Sequence, residues 1–113
     1  MKIITQTMTM GELKTLGGEF FGDMVKGVID VEQGSLAVSA ELHSDLEALL
    51  LENGSKQKNL WGINLYPENS GDDFIEFDSM INVRPSQGNR SRGVEDEGIR
   101  KSIIEIVNQR IKR

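Results

Sequence analysis

With 113 residues, 37% of them hydrophobic and 27% charged, two prolines and a net charge of −5, the chain reads as one globular domain over residues 1–113 and not as a disordered or collagen-like polymer. It has no cysteine and a single histidine, which excludes a disulfide framework, a zinc ribbon, a thiol nucleophile and a multi-histidine metal site within one chain. No apolar run approaches the ~18 residues of a membrane span, and the first residues lack the apolar centre of a secretory signal, so the expectation is a cytoplasmic protein with no membrane association.

Lys2 to Gln6 is an apolar, β-branched run suited to a first strand. Thr9 and Glu12 have capping-box spacing, which predicts a helix start, with Leu13, Leu16, Phe20 and Met24 on its buried face. Gly17 and Gly18 weaken that helix unless they mark a close helix-to-sheet approach. Val25 to Glu32 alternates as a half-buried strand, Gln33-Gly34 forms a tight turn, and Leu36, Val38, Ala40 and Leu42 follow with a period of two. A helix from Asp45 to Glu52 is the favoured reading of the next stretch, with a second capping box at Ser44 and Glu47, the stripe Leu46, Leu49 and Leu50, and a stop at Asn53-Gly54. A strand over residues 48–52 is the alternative, because short Leu-rich runs fit both periods.

After a polar loop, Leu60 to Tyr66 reads as a strand with Trp61, Ile63 and Leu65 inward. Residues 67–73 are turn formers joining it to an adjacent antiparallel strand. That strand is predicted over Phe74 to Val83, burying Ile75, Phe77, Ile81 and Val83 and showing Glu76, Asp78, Asn82 and Arg84 on the other face. The last helix has Glu95, Asp96 and Glu97 at its start and Arg110, Lys112 and Arg113 at its end, as the helix dipole favours, with Ile99, Ile103, Ile106, Val107 and Ile111 on one face. The fold class that follows is α+β: an antiparallel sheet of about five strands, with N-terminal, short central and C-terminal helices packed mainly on one face.

Charge is uneven along the chain. Residues 1–83 carry five Lys or Arg against fourteen Asp or Glu, whereas residues 84–113 carry eight against four. The loop following Val83 holds Arg84, Ser86, Gln87, Asn89, Arg90 and Arg92, with no acid. Arginine forks with neutral donors beside Gly88 suit a phosphate or carboxylate, and Pro85 stiffens the loop's entry. The alternative is that these arginines neutralise the chain's own Glu95, Asp96 and Glu97. The loop lacks the glycine spacing and trailing Lys-Ser/Thr of a P-loop. A second cluster is His43 with Glu41, Asp45 and Glu47, in which Glu41 and Asp45 could hold a divalent cation with His43, or a carboxylate could orient His43 as a general base. First-turn helix acids and a structural histidine account for the same residues. Trp61, Asn64 and Tyr66 suit either a pocket wall or core.

Glu-Leu-His at 41–43, Leu-Leu-Glu-Asn-Gly-Ser at 50–55, Leu-Trp-Gly-Ile-Asn-Leu-Tyr-Pro at 60–67 and Arg-Pro-Ser-Gln-Gly-Asn-Arg-Ser at 84–91 together resemble a family of small prokaryotic proteins classed as a domain of unknown function. The resemblance covers roughly the last two-thirds of the chain. It implies a single-domain prokaryotic protein and brings no activity, cofactor or catalytic residue with it.

Three functional expectations result. The first is a non-enzymatic interaction domain working through a homo-oligomeric or protein-partner interface, since no catalytic motif is present. The second is an anion- or RNA-binding protein using Arg84, Arg90 and Arg92, with Arg100 and Lys101 as additions. The third is a small hydrolase or nuclease using His43 with Glu41 or Asp45. No cofactor is implied by any of the motifs.

Overall fold

The computed structural model describes the backbone of residues 1–113 and every side chain except those of Glu19 and Phe20, so the expected core position of Phe20 lies outside the described residues. In chain order the elements are β1 (Lys2–Ile4), β2 (Met8–Thr9), α1 (Met10–Phe20), β3 (Val25–Asp30), β4 (Ser35–Val38), α2 (His43–Glu52), β5 (Leu60–Leu65), β6 (Ile75–Glu76), α3 (Glu97–Arg110) and β7 (Ile111–Lys112). Short 3-10 turns occupy Gln57–Asn59, Gly71–Asp73, Met80–Asn82 and Pro85–Gln87. Five strands form an antiparallel sheet in the order β1-β4-β3-β5-β6, and β2 and β7 form a separate parallel pair. This is the expected α+β architecture, and its Cα radius of gyration of 12.7 Å is close to the ~13 Å of a domain near a hundred residues.

Local chemistry sets several of these elements. Thr9 and Glu12 close the capping box of α1, each side chain accepting from the other's backbone N–H. Gly34 turns the β3–β4 hairpin at φ 72°, a region that costs a β-carbon-bearing residue about a kcal/mol or more. The buried Asp30 carboxylate holds the same turn, accepting from the N–H groups of Glu32 and Gln33 and from the Ser55 hydroxyl. Gly17 is buried, and a β-carbon there would stand 3.3 Å from Val25, so one member of the glycine pair does mark a close helix-to-sheet contact.

Strand alternation sends Val25, Ile29, Leu36, Val38, Trp61, Ile63 and Leu65 to one face, where Leu13 of α1 and Ile103, Ile106 and Val107 of α3 complete the larger core. Val28, Ala37 and Leu60 point the opposite way and are covered by Leu46 and Leu50 of α2. Two helices therefore share one face and the third seals the other. This is why β3, β4 and β5 are buried on both sides instead of half-exposed as their alternation suggests.

Four local expectations are corrected. The hairpin's second strand stops at Val38, because Ser39 takes φ 75° and turns the chain, leaving Leu42 exposed. The favoured central helix forms but starts at His43, which places Ser44 inside its first turn; Leu42 is the N-cap without a side-chain bond, and the Ser44–Glu47 box is absent. The strand expected over Phe74–Val83 keeps only Ile75 and Glu76. Beyond it, Ser79 caps the Met80–Asn82 turn by accepting from the Ile81 N–H, and Asn82 is fully buried although its position on the predicted strand put it on the polar face. Ile111 is buried as expected but leaves the helix to pair with Met8.

Candidate functional site

The arginine loop is built from the edge of β5 outward. The Asn82 amide bonds both main-chain groups of Gly62, standing in for the next residue of a paired strand. Arg84 then lays its guanidinium over the Trp61 ring, 4.2 Å from the centroid, and donates to the Gln57 and Leu60 carbonyls. Burial lowers its pKa from the usual arginine value, opposed by the nearby Glu47 carboxylate. Asn89 is buried and donates to the carbonyls of Asn82, Ser91 and Gly93 while accepting from the Glu95 N–H. Gln87 donates to the Lys58 carbonyl, and Arg92 pairs with Asp78 at 2.6 Å. The Glu95 carboxylate accepts from the backbone N–H groups of Ser91 and Arg90, which holds its pKa below the usual carboxylate value. Ser86 and the Arg90 side chain stay exposed. Arg84, Gln87, Asn89 and Arg92 are thus engaged in bonding the loop to the sheet and to itself.

The histidine lies elsewhere and keeps different company from that expected. His43 is buried at the start of α2, its Nε2 2.8 Å from the Ile63 carbonyl. A carbonyl only accepts, so Nε2 carries the proton and Nδ1 the lone pair in the neutral ring. Burial is the main cause of a pKa lowered from 6.5; the Ile63 carbonyl and Asp78 oppose it and Lys26 adds to it. Glu41 and Asp45 are exposed, and no hydrogen bond joins either to His43 among the described residues. No three His, Asp or Glu side chains form a metal-binding group among the described residues, so the His43–Glu41–Asp45 ligand set is not assembled.

Instead, His43 overlooks a polar row crossing three adjacent strands, Lys26, Asn64 and Glu76, which the β3–β5–β6 register places side by side. Glu76 accepts from Asn64 at 2.8 Å and from the Tyr66 hydroxyl at 3.1 Å. Partial burial, reinforced by this bond and by the charge of Glu76, raises the Tyr66 pKa above the usual phenol value. Asp78 links the two regions singled out in the sequence, influencing His43 on one side and pairing with Arg92 on the other. Arg84 takes no part in this link. Tyr66 and Glu76 also line a shallow concavity of about 350 Å³ with Asn69, Asp72, Asp73 and Ile75.

A larger groove, about 790 Å³, runs between β6 and α3. Phe74, Ile75, Phe77 and Ile104 supply its apolar lining, and Ile104 is 40% exposed. Arg100 places its guanidinium 4.8 Å from the Phe77 centroid, and Arg113 lies 4.6 Å from that of Phe74. Lys101 stands beside them, with Glu97 and Asp72 also on the lining. Among the described residues the ion pairs are Lys14–Glu68 and Arg92–Asp78, so no groove cation is paired with a carboxylate. The sequence signal for this site was only the cationic excess that brought in Arg100 and Lys101; the stacking of Arg113 on Phe74 had none.

Residues 2–110 match the family described as a protein of unknown function, DUF5674. The chain belongs to this family. The DUF5674 match extends through nearly the whole chain, beyond the two-thirds that carried the resemblance, and so includes β1, α1 and all but the last groove residue, Arg113. No curated protein and no solved structure matches the chain significantly. No helix among the described residues is long and apolar enough to cross a membrane.

Proposed function

We propose that this DUF5674 protein is a prokaryotic, cytoplasmic, non-enzymatic binding domain that takes its partner in the groove between β6 and α3. The observation that carries this reading is the groove's composition: an apolar lining of Phe74, Ile75, Phe77 and Ile104, with two guanidiniums stacked on its rings and, among the described residues, not paired with carboxylates. Its volume of about 790 Å³ falls within the ~300–1,000 Å³ typical of ligand sites, and a few fixed polar groups over an apolar surface are what such sites use for orientation. An arginine stacked on a ring keeps the edge of its fork free for an anion while losing little side-chain freedom on binding. The prokaryotic assignment rests on the motif resemblance read from the sequence alone, and the cysteine-free sequence is compatible with a reducing compartment.

The probe is 8-anilinonaphthalene-1-sulfonate, whose aromatic body and single anionic group suit this lining. Saturable binding of one dye per chain is expected, abolished by Ile104→Glu and weakened by Arg100→Ala. Dye binding that is non-saturable, or equal in the wild type and Ile104→Glu, would remove the groove as the binding site.

A further inference from the structure

Strand β6 is an edge strand, and one of its residues is open to the outside. The Tyr66 N–H donates to the Phe74 carbonyl at 2.9 Å, and Asn64 stands opposite Glu76. Main-chain groups alternate sides along a strand, so Phe74 and Glu76 address β5 while Ile75 turns its N–H and carbonyl outward. No backbone or side-chain group among the described residues bonds either of them. Farther on the edge closes, because residues 91–93 pass beside it: Ser79 donates to the Arg92 carbonyl, and Gly93 lies against the Phe77 carbonyl. The opening is therefore confined to the residue whose side chain lines the groove.

On the basis of the groove reading above, we infer that its occupant is an extended, acidic peptide segment of a partner protein. The segment pairs its backbone with Ile75, sets an apolar side chain against Phe77 and Ile104, and brings carboxylates to Arg100 and Arg113. Main-chain pairing at an open edge gives such a complex its affinity and the side-chain pockets its selectivity. The ligand's charge follows from the lining: Arg100, Lys101 and Arg113 outnumber Asp72 and Glu97, and among the described residues no cation is paired with either acid. Nucleic acid fits less well. Both phenyl rings already carry guanidiniums, so they offer no bare platform for bases, and a protein of net charge −5 repels a polyphosphate that needs several cations in a row.

The test pans phage-displayed random heptapeptides against the intact chain. Enriched sequences are expected to combine Asp or Glu with a bulky apolar residue. Synthetic versions should lose about tenfold or more in affinity to Arg100→Ala or Arg113→Ala, the ratio expected for one lost charge-assisted bond. They should shift the amide signals of Ile75 and Ile104 and leave Gly34 unmoved, and Arg100→Glu should favour peptides carrying Lys in place of the acid. Enrichment without acids, equal affinity for the arginine variants, or a groove filled only by single-stranded oligonucleotides or by a second copy in sedimentation would overturn the inference. Retained dye binding with no acidic peptide selected would remove this inference alone, whereas loss of dye binding would remove the groove itself.

Discussion

Asn82 holds Gly62 by both main-chain groups, accepting from its N–H at 2.8 Å and donating to its carbonyl at 3.0 Å. One further donor bond, to the Arg92 carbonyl at 2.9 Å, engages both N–H groups of this buried amide. Asn82→Ala leaves two Gly62 groups without partners, whereas Asn82→Asp keeps the acceptor for the Gly62 N–H but sets a second carboxylate oxygen against the Gly62 and Arg92 carbonyls. Urea unfolding should show a loss of about 1–3 kcal/mol per unsatisfied group, with the aspartate variant the worse. Equal stability of wild type and Asn82→Ala would mean that the loop does not depend on this amide.

Gly62 also lies where strand and loop approach closely. A β-carbon there would stand 2.5 Å from the Ser79 β-carbon and 3.2 Å from His43. Gly62→Ala is expected to cost about 1–3 kcal/mol by overpacking. Combining it with Ser79→Gly should restore part of that loss, a coupling measurable as a double-mutant cycle of about 0.5 kcal/mol or more.

Arg84→Lys retains the charge but loses the planar fork that reaches the Gln57 and Leu60 carbonyls from above Trp61. A destabilisation of about 1.5–3 kcal/mol is expected from the charged hydrogen bonds. Trp61 is the sole tryptophan, so its emission should shift in the folded variant as the stacked cation leaves.

His43 gives the chain a predictable pH response. Burial depresses its folded-state pKa below 6.5, so the unfolded chain binds the proton more readily. The stability contributed by the neutral ring is complete above 6.5 and is lost as pH falls through the lowered folded value. Unfolding measured between about pH 7.5 and pH 5 should therefore show a steeper fall for the wild type than for His43→Gln, carboxylate titration being common to both. The one imidazole in the chain can be titrated directly by NMR, where a midpoint below 6.5 and a proton on Nε2 are expected.

What was legible in the sequence was local. Thr9 and Glu12 sit three positions apart and find each other within one helical turn, and Asp96 caps α3 by accepting from the Ile99 N–H. The β3–β4 hairpin followed from alternation and one glycine. The segment from Phe77 to Arg92 resisted the same reasoning because its bonds are distant: apolar spacing described a strand, but Asn82 and Arg84 reach β5 with side chains instead of backbone. Composition marked the arginine loop as unusual without showing that Trp61 and two carbonyls were its partners. The groove was hidden more completely, since Phe74 and Arg113 come from opposite ends of the last third of the chain and meet only when α3 docks.

That docking has a consequence for the order in which the molecule comes into being. Met8 pairs with Ile111, and Arg110 donates to the Gln6 carbonyl across 104 positions of sequence. On the ribosome, Met8 and Thr9 emerge early and wait for strand partners that are synthesised some hundred residues later. The α3 wall of the groove is likewise made only after Phe74 and Phe77, so a nascent chain would display its sheet before the groove was complete.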